Sequence, residues 1–208
     1  GASIGIAIAP EDGDNVQSLT RNADLALYAA KDDGRRTHRF YDQSMHSDAE
    51  VRRALEQDLR SALAEGDLHL VYQPQVSMDE ERVSGFEALL RWNHPTRGAV
   101  SPSTFIQIAE DAGLIAQVGE WALRTACQHV SQWPGDVKVA VNVSPIQFAN
   151  PAFPSIVENA LRESGLAPSR LELEITETVF LNDSADTDKM FADLKALGIR
   201  LALDDFGT

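Results

Sequence analysis

Apolar and polar positions alternate with period two in several short runs of this chain, and recur with helical period in the stretches between them. Residues 2–9, Ala-Ser-Ile-Gly-Ile-Ala-Ile-Ala, predict a buried strand, closed by the turn chemistry of Pro10 to Asp14. From Asn15 to Asp33 an apolar stripe of Leu19, Ala23, Ala26, Leu27 and Ala30 predicts a helix, and Gly34 stops it. Residues 39–41 read as a short closing strand. Residues 46–65 form a second amphipathic pattern, with Val51, Ala54, Leu55, Leu59, Ala62 and Leu63 on one face and Gly66 at its end. Strands follow at 68–76 and 83–92, joined by a charged turn short enough for an antiparallel hairpin. Two helices broken near Gly113 fill 104–133. A strand at 137–143, a helix at 154–164, a strand at 170–177, a helix at 186–197 and a strand at 200–206 complete the pattern. Strand, strand, helices, then alternating strands and helices predict an α/β fold. It is an incomplete (β/α)8-type barrel whose first strand is antiparallel, ending after its fifth strand.

The run 170–177 carries the first chemistry. Leu171, Leu173 and Ile175 alternate with Glu172, Glu174 and Thr176, so the strand has two unlike faces. Its place between two helical patterns argues for a parallel strand with both faces covered, where carboxylates are paired, protonated or bound to a cation. A rim strand and a metal-binding strand both fit this segment alone. The feature recurs, however: Glu87 sits among apolar neighbours in 85–91, Asn142 ends a valine run, and Asp204 with Asp205 ends the last strand. Each is expected near the C-terminal end of its strand, where barrels and open α/β sheets build their sites. Period two puts Glu87 on a face with Gly85, Leu89 and Arg91, Asn142 with Ala140 and Ser144, Asp204 with Ala202, and Gln73 with Val71 and Gln75. The bulky apolar residues would then face the helices. Gln73, Glu87, Arg91, Asn142, Glu174 and Asp204 would face the barrel axis, with Asp205 beside them.

Carboxylates that converge in this way repel unless cations lie among them. An all-oxygen ligand set suits Mg²⁺ or Mn²⁺, with Ca²⁺ as a binder, better than Zn²⁺. Asp204 and Asp205, as neighbours, suit the bridging of two ions, and two ions a few ångströms apart point to phosphoester chemistry. Arg91 offers a bidentate phosphate donor or a salt bridge to a nearby carboxylate; Gln73 on spacing alone is equally a capping group. The 208 residues, 43% of them hydrophobic, allow one large or two small domains with a real core. A net charge of −14 argues against a DNA or RNA polymer as partner and requires a local reversal of field for any phosphorylated ligand. Cys127 is the single cysteine, so no internal disulfide framework exists, and it is expected to be a small buried side chain. No run has the length of a membrane span and no signal peptide opens the chain, so the segment is expected to be soluble, cytoplasmic and without membrane contact, while a full-length parent could carry a membrane anchor elsewhere.

Two resemblances sharpen this reading. Ser3-Ile-Gly-Ile-Ala7, Asn22-Ala-Asp-Leu-Ala-Leu-Tyr-Ala-Ala-Lys31 and Gly34-Arg35 resemble the last third of a GGDEF (diguanylate cyclase) domain, an α+β domain whose signature loop would lie before residue 1. That likeness implies nucleotide-phosphate contacts for Lys31 and Arg35, and GTP as a partner of this half. A solvated helix end with favourable dipole placement is the preferred reading of both residues. From about residue 46 onward, Tyr72-Gln-Pro74, Gly85-Phe-Glu-Ala-Leu-Leu-Arg-Trp92, Phe105-Ile-Gln-Ile-Ala-Glu110 with Gly113-Leu-Ile115, Asn142-Val-Ser144, Glu174-Ile-Thr-Glu177 and Asp204-Asp-Phe-Gly-Thr208 resemble, in order, the EAL phosphodiesterases. The chain is thus expected to divide into 1–45, a C-terminal GGDEF remnant, and 46–208, a truncated EAL domain. The resemblance implies hydrolysis of cyclic di-GMP to linear pGpG with Mg²⁺ or Mn²⁺. Glu87, Asn142, Glu174, Asp204 and Asp205 would be metal ligands, Glu177 a brace for the loop starting at Asp205, and Gln73 and Arg91 substrate contacts. It also implies a homodimer. The family's lysine, glutamate and glutamine further downstream lie beyond Thr208, so the chain as written is expected to be an inactive fragment of a larger protein. The alternatives are a non-hydrolysing cyclic di-GMP receptor and a regulatory or dimerisation module.

Overall fold

The structure is a computed structural model that describes residues 1–34, 36–77, 82–176, 179 and 185–204. It divides into two compact units, Gly1–Asp58 and Leu59–Thr208. In the first, strand β1 (Ile4–Ile6) runs into helix α1 (Val16–Asp32) and returns as strand β2 (His38–Phe40), parallel to β1 with Ile4 opposite His38. Asn15 caps α1 by accepting from the Ser18 N–H at 2.9 Å. The helix lies directly on β1 at Gly5, where a Cβ would stand 2.0 Å from the Ala23 carbonyl oxygen, so only glycine permits that approach. Strand β1 is shorter than the alternation predicts. Its partner offers three residues, and the Ile8 N–H leaves the ladder to donate to Asp12 Oδ2 at 2.7 Å. Helix α2 (Ser44–Glu65) follows, with Leu55, Leu59 and Ala62 buried, whereas Val51, expected on that face, is exposed.

The second unit is a six-stranded sheet with helices on its outer side. Strands β3 (Leu68–Ser77) and β4 (Arg82–His94) form the expected antiparallel pair. Strand β5 (Gly98–Val100) folds back on β4. Helices α3 (Pro102–Asp111) and α4 (Ile115–Ser131) lead to β6 (Lys138–Val143), parallel to β4. A short helix α5 (Pro145–Phe148) and helix α6 (Phe153–Ser164) precede β7 (Leu171–Thr176). Helix α7 (Ala185–Ala196) precedes β8 (Arg200–Asp204). The path β3-β4-β6-β7-β8, with one antiparallel pair and then parallel neighbours, is the incomplete (β/α)8-type barrel that the pattern predicts.

Strand β5 and helix α5 are absent from the sequence reading. Three residues are too few to show alternation, and β5 exists because a tight turn delivers it: His94 Nδ1 accepts from the N–H groups of Thr96 and Arg97 at 3.2 and 3.3 Å. Helix α5 begins on Pro145 behind a capping box, in which Ser144 Oγ accepts from the Gln147 N–H at 3.2 Å.

The core lies between sheet and helices. Val139, Val141, Leu171, Leu173 and Ile175 present their buried faces to the layer holding Ala126, Val157 and Leu194. Cys127 belongs to it, fully buried as expected, and burial pushes its thiol up to about 12 from an ordinary 9.0, against a small opposing pull from Arg124. A folded-state pKa above the unfolded one leaves stability untouched below about pH 9. As pH rises from 9.0 towards 12 the unfolded chain releases the proton that the folded chain keeps, and stability falls through that window. Since the thiolate is the reactive form, Cys127 is expected to resist a thiol reagent at pH 8 in the native protein and to react stoichiometrically in denaturant. Prompt native labelling would contradict this packing.

Candidate metal and phosphate site

The inner face of the sheet is built by the residues that alternate with the core. Glu87 lies opposite Gln73 across the β3–β4 ladder, and Asn142 lies opposite Glu174 across β6–β7. Asn142 Nδ2 donates to Glu87 Oε1 at 2.7 Å, joining β4 to β6 through side chains as well as backbone. Three oxygen-bearing residues from three successive strands therefore stand in one row. On β8, Asp204 takes the register position opposite Thr176, two residues beyond Ala202, which lies opposite Glu174. Glu177 and Asp205, and Arg35 in the first unit, lie outside the described residues. Arg91 shares the Glu87 side of β4 and is half-buried, its Nη1 donating to the Leu90 carbonyl at 2.8 Å. That contact is neither the phosphate nor the carboxylate partner anticipated for it. Lys31 is an exposed residue of the last turn of α1.

Strand-end placement holds for Asn142, Glu174 and Asp204 but not for Glu87, which is mid-strand in β4, as it already was in the run 83–92 that the alternation marks. The parallel ladder from β4 to β6 ends at Ala88, so Glu87 still lies at the end of the paired segment. Most of the outward set behaves as predicted, whereas Leu203, near the end of β8, is exposed. Ala88 and the valines of β6 are in the core. Tyr72, Phe86 and Trp133 form an aromatic cluster behind the sheet, with ring centroids 4.8 and 5.1 Å from Trp133. Burial, with a lesser contribution from Cys127, pushes the Tyr72 hydroxyl up to about 12; it sits 2.9 Å from His129 Nδ1.

Sequence reasoning passed over one inward residue. Gln75 Nε2 donates to Glu174 Oε1 at 3.3 Å. Strands β3 and β7 are three places apart in the sheet, roughly 14 Å if the sheet were flat. Two side chains meet over that span only because the sheet is strongly curled, as in a barrel wall. The signal for Gln75 was present, since it shares the face of Gln73, but nothing local says which strand it reaches.

Hard divalent cations fit the residues present. The described donors are carboxylate and amide oxygens without histidine or cysteine, and each carboxylate already has one oxygen on an amide N–H. Thr176 Oγ1, at the end of β7 opposite Asp204, is buried without a hydrogen-bond partner among the described residues, leaving an unsatisfied acceptor at the same rim. A separate cleft of about 370 Å³ opens between α5 and α7 over Phe148, Val179 and Met190. It is lined from the helical layer rather than from the inner face of the sheet.

The described strands and helices thus form a partial β/α barrel with a row of oxygen-bearing side chains on its inner face. The chain belongs to the EAL domain family: residues 56–208 match the EAL domain, and residues 1–37 match the GGDEF domain of diguanylate cyclases. The bifunctional diguanylate cyclase/cyclic di-GMP phosphodiesterase MucR of Pseudomonas aeruginosa is 43% identical over 211 residues, covering 100% of this chain and 31% of MucR. The cyclic di-GMP phosphodiesterase NbdA of the same organism is 36% identical over 211 residues, covering 100% of this chain and 27% of NbdA. The MucR phosphodiesterase solved with cyclic di-GMP superposes with a TM-score of 0.72 at 42% identity, over 74% of this chain and 64% of that one. A calcium and cyclic di-GMP complex of Klebsiella pneumoniae BlrP1 gives 0.57 at 31% identity, over 68% of this chain and 35% of that one. The chain spans about a quarter to a third of the length of the curated relatives it matches. Among the described residues no helix is long and apolar enough to cross a membrane.

Proposed function

We propose that this chain contributes the first half of a barrel that hydrolyses cyclic di-GMP to linear pGpG with Mg²⁺ or Mn²⁺, in bacterial second-messenger signalling. One observation carries the reading: Glu87, Asn142 and Glu174, from three neighbouring strands, form one row of oxygen donors on the inner face. Asp204 and Asp205 complete the ligand set, Glu177 braces the loop that begins at Asp205, and Gln73 and Arg91 contact the substrate. Divalent ions bound there supply charge neutralisation at the phosphate and an acidified water. The side chains supply the rest. The Glu87 and Glu174 carboxylates hold the cation charge at the rim, the Asn142 amide fixes Glu87, and the Arg91 guanidinium, anchored at Leu90, keeps further N–H donors for a phosphate oxygen. Hydrolysis exchanges a phosphorus–ribose oxygen bond for a phosphorus–water oxygen bond, and the leaving ribose oxygen takes up a proton. The division at 45/46 is supported by family matches that end at residue 37 and resume at 56. A homodimer, GTP at the GGDEF half and a cytoplasmic location belong to the same proposal.

The test is turnover of cyclic di-GMP by the full-length protein with Mn²⁺, followed by chromatography. Linear pGpG that disappears on chelation supports the reading. Tight cyclic di-GMP binding without pGpG replaces it with a receptor, and a deletion that abolishes self-association but leaves cellular cyclic di-GMP unchanged replaces it with a dimerisation module.

A further inference from the structure

We propose that Gln75 is a positioning residue for the Glu174 carboxylate, aimed across the barrel by a β-bulge at Ser84 and given its path by Gly85. The proposal rests on the phosphodiesterase reading in that it takes Glu174 as a ligand to the cation.

Three observations on separate residues converge. The β3–β4 ladder runs in regular register from Leu68 opposite Trp92 to Gln75 opposite Gly85, and then Val76 pairs with Val83, so Ser84 is the extra residue of a bulge. A bulge bends its strand, increases the local twist and re-aims side chains, and such irregularities concentrate beside functional sites. The hydroxyl of Ser84 donates to the Gln75 carbonyl at 3.2 Å, which closes the bulge against the residue it redirects. The residue facing Gln75 is a glycine, and space explains it. A Cβ on Gly85 would stand 3.1 Å from the Lys138 carbonyl oxygen and 3.4 Å from Gln75 Oε1, crowding both β6 and the amide. With bulge and gap in place, Gln75 Nε2 reaches Glu174 Oε1 at 3.3 Å, from a residue 99 positions away in the chain.

A donor held on Oε1 removes rotational freedom from the carboxylate, so a ligand fixed in this way meets a cation already oriented. Glu87 has the same arrangement, with the Asn142 amide on its Oε1. Asn142 is itself among the proposed ligands, whereas Gln75 has no place in the ligand or substrate set. It acts through Glu174.

The experiment compares the wild type, Gln75→Met and Gln75→Asn in the full-length protein. Bound Mn²⁺ is measured from the electron paramagnetic resonance signal of the unbound ion, alongside melting curves and the Mn²⁺ dependence of turnover. Methionine keeps the length and removes the donor; asparagine keeps the amide but is one methylene short. Both variants are expected to bind Mn²⁺ about tenfold more weakly, the usual effect of losing an outer partner of a ligand. The melting temperature of the metal-free protein should stay unchanged. Half-activating Mn²⁺ should rise by the same factor, with kcat at saturating Mn²⁺ within about twofold of wild type. If Gln75→Met does not fold, Gln75→Asn decides alone. Unchanged Mn²⁺ affinity in a folded variant of a wild type that binds Mn²⁺ overturns the role of Gln75 and leaves the site reading standing. A fall in kcat at unchanged affinity overturns it too. A wild type that binds no Mn²⁺ overturns both.

Discussion

Glu87→Ala is expected to lower cyclic di-GMP turnover by about 10³-fold at saturating Mn²⁺, the rate equivalent of the several kcal/mol that a bound cation contributes at a phosphoryl transition state. Two losses combine. The row of oxygen donors loses its first member, and the Asn142 Nδ2–H, which gives its hydrogen bond to Glu87 Oε1 at 2.7 Å, loses its acceptor. Glu87 is only half-buried and faces the inside of the sheet, while its neighbour Ala88 carries the core contact, so the melting temperature should shift little. Glu87→Gln separates charge from shape: it fills the same space, removes the anion, and sets one amide against another. It should be as inactive as the alanine variant. The decisive measurement is the initial rate of pGpG formation across a Mn²⁺ titration. A loss of less than tenfold at saturating metal would remove Glu87 from the ligand set, and with it the first member of the row.

The contrast between what the chain announces and what it conceals follows from range. Strand β7 was legible because Leu171, Leu173 and Ile175 alternate with Glu172, Glu174 and Thr176, and the structure buries the first set completely and leaves the second half-exposed. Helix α4 was legible because the helical region 104–133 breaks near Gly113, which has a positive φ of 70°. The row Glu87, Asn142, Glu174 was legible because period two assigns faces and parallel order assigns neighbours. The cross-barrel contact was not. Whether Gln75 reaches β4, β6 or β7 depends on the curl of the whole sheet, and no window of sequence encodes it. The bulge at Ser84 is hidden for a related reason, since Gly85-Phe-Glu reads as a regular strand and only the partner register exposes the extra residue. Strand β5 was missed because a hairpin made by the His94 ring leaves no alternation to read. The expected position of Glu87 at a strand end failed for a separate reason: the run 83–92 already places it mid-strand, and only the β4–β6 ladder, not β4 itself, ends beside it.

Leu173→Ala is expected to destabilise the second unit by about 3–5 kcal/mol, lowering its melting temperature by roughly 10 °C. Leu173 is fully buried, in the same cluster as Val141 and Leu194, and its strand neighbours on either side are Val141 and Leu201. Truncation there removes transfer free energy and leaves a cavity between two sheet neighbours that the backbone ladder holds apart, so the site cannot collapse to fill it. Glu172→Ala, one residue away and opposite Arg200 on the inner face, is expected to change stability by no more than about 0.5 kcal/mol. The pair tests the two-faced strand directly, in a urea or thermal melt. Equal effects at 172 and 173 would mean that β7 is buried on both sides or on neither, and Glu174 could not then sit on a functional inner face. A large effect at 173 alone places stability on the helix side of the sheet. The Glu87 variants, inactive but as stable as the wild type, would place function on the other.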